Sequence, residues 1–423
     1  MNDRPRVLLV HQRTTLPWIF DAAVRAGVDL VLVPRPDEQL GDDLPAGVTE
    51  VLAVDTGAPD ALAVVAAEHA RRPFDGVMTL YDAAVGFAAA VAHELGLPGP
   101  GPEVAERVRD KRVMRERLRA AGLNSPRFVA LDGPQDWRRA TGVACPVVVK
   151  PSDGLSSAGV TRVDDPATLE AVVAEVWRVS GAVVDRRSGS PGLVVEEFLD
   201  GPELAVESLA HDGDVRVLSI GYKGEPVGPH FEEGLYEAPA RLPSEVRDAV
   251  EREVVAAHAA LGLRDGPAHT ELRLRGGTVP YVLELGARIG GSGVSHHVVE
   301  AVTGIDFAAD ALRIAIGRAP ECFASPVTVR GAGGNYIVPC GGQGRIVALD
   351  GLDDVAAAPE VTHLVQMLFP GDVVRPYPEF TGYPAFVLSR HAGIDELERF
   401  HSGLGERISI RYRPEAATAG AGR

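Results

Sequence analysis

The sequence predicts an α/β fold built from several subdomains, and three observations carry the prediction. Over the first hundred residues, short apolar runs alternate with helical patterns, which is how a parallel α/β unit reads. The chain has 423 residues, too many for one ordinary compact domain, so about two to four subdomains are expected. From about Ala324 the pattern turns short, β-rich and turn-rich, as a small separate domain would.

In chain order, strands are expected at Arg6–Val10, Asp29–Val33, Glu50–Val54 and Gly76–Leu80, with helices at Pro17–Ala26, Pro59–Arg71 and Ala83–Leu95. The first strand runs into HQRTT and lacks G-x-G-x-x-G, which argues against dinucleotide binding there. Leu97–Glu103 (LPGPGPE) marks a boundary, and one helix is expected over Pro102–Ala121. Strands follow near Arg127–Leu131, Val147–Lys150 and Val160–Val163. A helix begins after the acidic cap Asp164-Asp165-Pro166. Strands at Leu193–Phe198, Glu203–Ala210 and Val215–Tyr222 precede a long helix over Pro243–Leu261. A hairpin pairs His269–Leu274 with Val279–Leu285 through Gly276-Gly277. Two helical stretches end near Gly317, and a last helix lies near Asp395–His401. The predicted units are 1–101, 102–322 and 323–415, with a disordered tail at 416–423.

Composition excludes several classes. Apolar residues make up 45% and aromatics only 5%, so the cores are aliphatic. A formal charge of −17 argues against general nucleic-acid binding, because neutralising phosphate needs a basic surface. Three dispersed cysteines without C-x-x-C point away from disulfides and zinc. No run approaches the ~18 apolar residues of a membrane span, and the N-terminus lacks a signal-peptide apolar core. A cytoplasmic protein that binds neither membrane nor nucleic acid is expected. Only three of the 42 basic residues are lysine, namely Lys111, Lys150 and Lys223. A lysine kept against that bias marks a place where a compact ammonium suits better than a guanidinium.

Four segments carry the chemistry. In Val147–Val160 (VVVKPSDGLSSAGV) a strand delivers Lys150 into a loop of small residues, where backbone N–H groups and the hydroxyls of Ser156 and Ser157 can approach phosphate. Alone, it reads more readily as an ordinary glycine-containing hairpin. In Arg109–Leu123, Lys111 opens a basic amphipathic helix, which alone reads as a solvated face. In Leu193–Glu207, a strand ends at Glu196-Glu197-Phe198-Leu199 and resumes at Glu203. Its backbone can face a purine edge and its carboxylate a ribose, although charged hairpins are common. The fourth segment, His269–Gly291, holds Glu271 and Glu284. With a two-residue turn, Arg275 pairs with Thr278 and Glu271 with Val282. Glu284 is then a diagonal neighbour of Glu271 at about 7–8 Å. Two carboxylates so placed repel unless a cation joins them, and hard oxygen donors suit Mg2+ bridging phosphates. If the strand continues, Arg288 shares their face, where it can stabilise charge on a transferring phosphoryl group. The competing reading is a solvated hairpin.

Together and in this order, the four segments resemble the ATP-grasp superfamily over roughly residues 1–320. The resemblance implies an N-terminal parallel α/β domain, an ATP lid subdomain at about 125–199 and a small β-rich C-terminal domain. It implies phosphate contacts from Lys111 and Lys150 and a closing loop over Ser152–Gly159. It also implies an adenine hinge at Glu196–Leu199, with main-chain contacts from Glu197 and Leu199, and a ribose contact from Glu203. The metal carboxylates would be Glu271 and Glu284 and the phosphate-stabilising arginine Arg288, with ATP and Mg2+ (Mn2+ as an alternative) as cofactors. Many members carry Glu-x-Asn-x-Arg where this chain has Glu284-Leu285-Gly286-Ala287-Arg288, and Gly286 cannot supply the third oxygen. This variant, with Gly290-Gly291 after it, looks most like the L-amino-acid ligases, as does the segment from Ala324 to Tyr412.

The implied activity is ATP-dependent joining of a carboxylic acid and an amine, both amino acids, through an acyl phosphate. Natural-product biosynthesis is the implied setting, and homodimers are common among similar enzymes. Alternatives are a ligase for a side-chain carboxylate or a non-amino acid, and a non-catalytic nucleotide-binding regulator. Substrate contacts are expected from His230, Gly290, Gly291 and Ser292, with Lys223 and Tyr81-Asp82 as further candidates.

Overall fold

The apolar runs of the first hundred residues form strands β1 (Arg6–Val10), β2 (Asp29–Val33), β3 (Val48–Val51) and β4 (Gly76–Thr79). They make a parallel sheet in the order β3-β2-β1-β4. β1 and β2 are buried along their whole length, as strands with both faces covered must be. These features come from a computed structural model that describes residues 4–38, 40–41, 43–154, 157–183, 192–225, 228–375 and 382–413.

The single helix expected over Pro102–Ala121 is two helices, Pro102–Arg109 and Lys111–Ala120. Asp110 breaks it by adopting an extended backbone and capping the second helix, its side chain accepting the Arg112 N–H at 2.8 Å. The break makes Lys111 a first-turn residue, and its N–H reaches the Ser152 carbonyl at 2.8 Å.

β5 (Phe128–Leu131), β6 (Val147–Pro151), β7 (Thr161–Val163) and β8 (Leu193–Glu197) form an antiparallel sheet in the order β5-β8-β6-β7. Helix Leu169–Val183 covers one face through Val173 and Val176, which pack on Val147, Val149 and Val195.

The central sheet has eight strands. They are β9 (Glu203–His211), β10 (Asp214–Tyr222), β11 (Leu235–Ala238), β12 (Gly266–Arg275), β13 (Val279–Gly286), β14 (Ala332–Ile337), β16 (Val361–Gln366) and β18 (Ala385–His391). Their order is β13-β12-β9-β10-β11-β14-β18-β16. β11 lies in a stretch read from sequence as loop, and its four residues are too few to show a period. It bridges β10 and β14, so the C-terminal segment shares a sheet with the middle of the chain. That segment also builds its own sheet from β15 (Gly344–Asp350), β17 (Val373–Val374) and β19 (Ser409–Arg413). The tail at 416–423 lies outside the described residues.

Candidate active site

The β12–β13 hairpin differs from its expected register in two ways. Its connection has three residues, so Arg275 pairs with Val279 rather than Thr278. Further along, Leu272 pairs with Val282 while Glu271 pairs with Glu284, so Leu283 is an extra, bulged residue. Glu271 therefore stands opposite Glu284, not Val282, and the two are direct neighbours rather than diagonal ones. Arg115 stabilises the bulge, donating from Nη2 to the Leu283 carbonyl at 2.7 Å. Sequence placed Arg115 on a solvated helix face, yet it is fully buried.

Each carboxylate of the pair has a lysine. Lys111 Nζ is 3.0 Å from Glu284 Oε2. Lys223 Nζ lies 2.7 Å from Glu271, 2.9 Å from Glu233 and 3.2 Å from Glu203. Burial opposes the charge on Lys223, but these three carboxylates outweigh it and hold the ammonium well above its ordinary pKa. His269 joins the group through Glu207 at 2.5 Å and Glu271 at 3.4 Å. Burial works against its charge as well, and Glu207 with Glu271 raises it to about 9. Glu271 is itself held far below the carboxylate range, against burial, by Lys223 and His269.

Lys150, next to last in β6, sets its ammonium on Glu196 of β8. Burial lowers its pKa to about 8. Glu196 is held charged despite burial by Arg115, whose Nε is 3.1 Å away, and by Lys150. Its side chain thus orients a lysine, a different use from the hinge contact expected of it. In the hinge, Glu197 turns its carboxylate to Arg127, accepting from N at 3.0 Å and Nε at 3.1 Å. The Glu197 N–H bonds the Arg127 carbonyl, while the Leu199 N–H has no hydrogen-bond partner among the described residues. Arg273 binds the Leu199 carbonyl at 3.0 Å and grips Glu203 Oε2 from Nε at 3.0 Å and Nη2 at 2.9 Å. Its guanidinium lies 5.3 Å from both the Phe198 and Phe231 ring centres.

β13 ends at Gly286, so Arg288 is not on the strand as expected. A tight turn, with Arg288 N–H on the Gly286 carbonyl at 2.9 Å, brings it to the cleft instead. There Asp82 holds it, with Oδ2 accepting from Nε at 2.7 Å. Gly290 and Gly291 form the turn before helix Val294–Thr303, and a Cβ at Gly290 would strike Ser295 and the His269 ring. Ser292 lies in the same turn, and its side chain is outside what is described. Ser157 lines the cleft with φ 53°, whereas Ser156 lies outside the described residues. His230 Nδ1 lies 3.2 Å from Thr161 Oγ1 and 3.4 Å from the carbonyl of Val160, a cleft residue; its neighbours Phe231, Glu232 and Glu233 line the cleft.

One cleft, partly open to solvent, collects Lys111, Lys150, Glu203, Lys223, Glu271, Glu284 and Arg288. Phosphates fit its lysines and arginine. Facing carboxylates offer hard oxygen donors to a divalent cation. Among the described residues no three acidic, His or Cys side chains form a ready-made metal site.

The chain matches the ATP-grasp N-terminal domain at residues 20–99, the ATP-grasp domain at 143–296 and L-amino acid ligase C-terminal domain 2 at 337–413. It is 39% identical to the crystallised L-amino acid ligase from Bacillus licheniformis, with 98% of this chain and 100% of that one covered at a TM-score of 0.90. The L-arginine-specific L-amino acid ligase of Bacillus subtilis is 24% identical over 71% of both chains. Alanine–anticapsin ligase of Bacillus subtilis (strain 168) is 27% identical over 55% of this chain, and the match spans 52% of that protein. A likeness that runs the full length of both chains at this identity places the protein in the L-amino acid ligase family of ATP-grasp enzymes.

Proposed function

We propose that the protein joins two amino acids by an amide bond, using ATP and releasing ADP and phosphate. The observation that carries this reading is the convergence of Lys111, Lys150, Glu271, Glu284 and Arg288 on one cleft. Glu271 and Glu284 would hold the divalent cation, Mg2+ or in its place Mn2+. When bound, the cation neutralises phosphate charge. Lys150 and Lys111 bind phosphate oxygens, and the Ser152–Gly159 loop closes over them. Leu199 offers its N–H, and Glu197 its backbone, to the adenine edge; Glu203 accepts from the ribose.

The carboxylate of the first amino acid attacks the γ-phosphorus, and ADP leaves. Arg288 stabilises charge on the phosphoryl group in flight. The amine of the second amino acid then attacks the acyl carbonyl, phosphate leaves, and the amide forms. A closed loop keeps water from the acyl phosphate. Substrate contacts belong to the Gly290–Ser292 turn and the 228–233 loop. The division at about 101 is kept as a working boundary, while beyond about 322 the chain adds strands to the central sheet as well as its own small sheet. A cytoplasmic setting, where ATP is available, is in keeping with this reading; no described helix is long and apolar enough to cross a membrane. The anticapsin ligase among its relatives supports a role in natural-product biosynthesis.

The acyl phosphate is testable directly. Hydroxylamine added to enzyme, MgATP and one amino acid at a time should yield the hydroxamate of the first substrate together with ADP. ADP release without hydroxamate for every amino acid tried would remove the acyl-phosphate step.

A further inference from the structure

The segment that follows Glu284 is bare where the N-terminal sheet comes closest to it. A Cβ at Gly286 would lie 3.2 Å from Asp82 Oδ1, and Asp82 follows β4 at the carboxyl end of the parallel sheet. A Cβ at Gly293 would run into the Trp18 indole and Leu80. Two side chains are thus missing at the places where the N-terminal unit seats itself.

Asp82 uses its two oxygens differently. Oδ2 accepts from Arg288 Nε at 2.7 Å and lies 2.5 Å from Nη2. Oδ1 has no hydrogen-bond partner among the described residues and points at the bare Gly286. Arg288 Nη1 is directed to the Ile289 carbonyl at 3.4 Å. Asp82 therefore fixes the plane of the guanidinium from a different sheet, about two hundred residues away in sequence (|i−j| = 206). A carboxylate that grips Nε and Nη2 fixes the guanidinium at the cleft, which both residues line, with Nη1 held only by the long contact to Ile289.

We infer that Asp82 is a positioning residue for phosphoryl transfer, holding the Arg288 guanidinium in the cleft, and that position 286 is glycine so that the Asp82 carboxylate has room to do so. The inference rests on the role proposed above for Arg288. It ties seating of the N-terminal unit to readiness of the phosphate site, because Arg288 is aimed only when Asp82 is in place. A salt bridge that merely joins two parts of the molecule would change stability and leave phosphate discrimination alone.

The test uses calorimetric Kd values of the full chain for MgADP and for the magnesium complex of the β,γ-imido analogue of ATP. The ratio of the two reports recognition of the γ-phosphoryl group. R288A and D82A should each lower the preference for the triphosphate analogue by about 10-fold, the worth of a charge-assisted hydrogen bond. The double variant should lose no more than R288A alone, since both act through one guanidinium. D82N keeps an acceptor oxygen and should fall between wild type and D82A. G286A crowds Oδ1 and should lower the preference by about 3-fold in the wild-type background, with no effect in D82A.

A D82A protein that melts earlier but keeps the wild-type preference would overturn the inference, as would losses that multiply in the double variant. An unchanged preference in R288A would remove the premise and the inference with it. None of these readouts needs an amino acid. Failure to find a substrate pair would therefore count against the proposed function and leave this inference to be decided by the ratio.

Discussion

Glu271 and Glu284 face each other directly across the β12–β13 ladder, yet each is bonded to a lysine from elsewhere in the chain: Lys223 at 2.7 Å and Lys111 at 3.0 Å. The pair calls for positive charge, and the protein's own lysines supply it. A divalent cation and the phosphates it bridges would redistribute these partners, the cation taking the carboxylates and the lysines taking phosphate. E271Q and E284Q should each weaken Mn2+ binding in the presence of ADP by at least about 10-fold, read from the free Mn2+ signal in electron paramagnetic resonance. Unchanged Mn2+ affinity in both variants would show that the cation binds elsewhere.

Lys150 gives the site a pH dependence. Burial brings its pKa down from 10.5 to about 8, so it is mostly charged at pH 7 and loses its proton as pH rises through 8. A phosphate beside it favours the charged form and raises that pKa. Nucleotide binding near pH 8 to 9 should therefore take up a proton, and affinity should fall as pH rises above about 8. Calorimetry of MgADP binding in buffers of different ionisation enthalpy measures the uptake. K150M should abolish it, and proton release in the wild-type protein would contradict the assignment.

Arg115 joins two halves of the site that are distant in sequence. It bonds Glu196, which orients Lys150, and the bulged Leu283 carbonyl, which sets the position of Glu284. R115M leaves a buried carboxylate short of a partner, and the expected loss is about 3–5 kcal/mol of stability, measured by urea unfolding. R115K keeps the charge but cannot reach both partners as a fork does, so it should recover only part. A loss under about 1 kcal/mol in R115M would mean that the Glu196 charge is neutralised another way.

Arg273 braces the hinge, holding the Leu199 carbonyl and gripping Glu203 Oε2 from two nitrogens, with the stacked Phe198 and Phe231 rings beside it. R273K keeps a cation and loses the fork. It should raise the Kd for ATP by about 10-fold, within the range for losing hydrogen bonds to charged groups, while the ratio of ADP to triphosphate-analogue affinity stays as in wild type. A changed ratio would show that Arg273 acts on the phosphates and not on the nucleoside.

The contrast between Glu271 and Arg115 shows what the sequence could carry. Carboxylates in an apolar strand are locally odd, so Glu271 and Glu284 stand out without any structure, and the rarity of lysine marks Lys111 and Lys150. The strands of the first sheet are legible for the same local reason, being short apolar runs between turns. Arg115 is invisible because its partners lie 81 and 168 residues away, and a basic helix reads as solvated whatever it packs against. The Leu283 bulge adds one residue to one strand, and no periodicity announces it. The break at Asp110 did have a signal, an aspartate at a cap position before a new helical turn, masked by the strong helical pattern on both sides. Asp82 reaches Arg288 across two sheets, and only the packing of the N-terminal unit on Gly286 and Gly293 makes that contact.

The central claim is that the cleft couples ATP cleavage to the joining of two amino acids. Its most direct test is the stoichiometry of ADP and dipeptide formed by the purified protein with MgATP and pairwise mixtures of amino acids, the dipeptide identified by mass. One ADP per dipeptide, with little ADP in the absence of the second amino acid, is the predicted result. ADP formation that continues at the same rate with one amino acid and yields no amide, or no ADP from any pair by a protein that binds nucleotide, would contradict it.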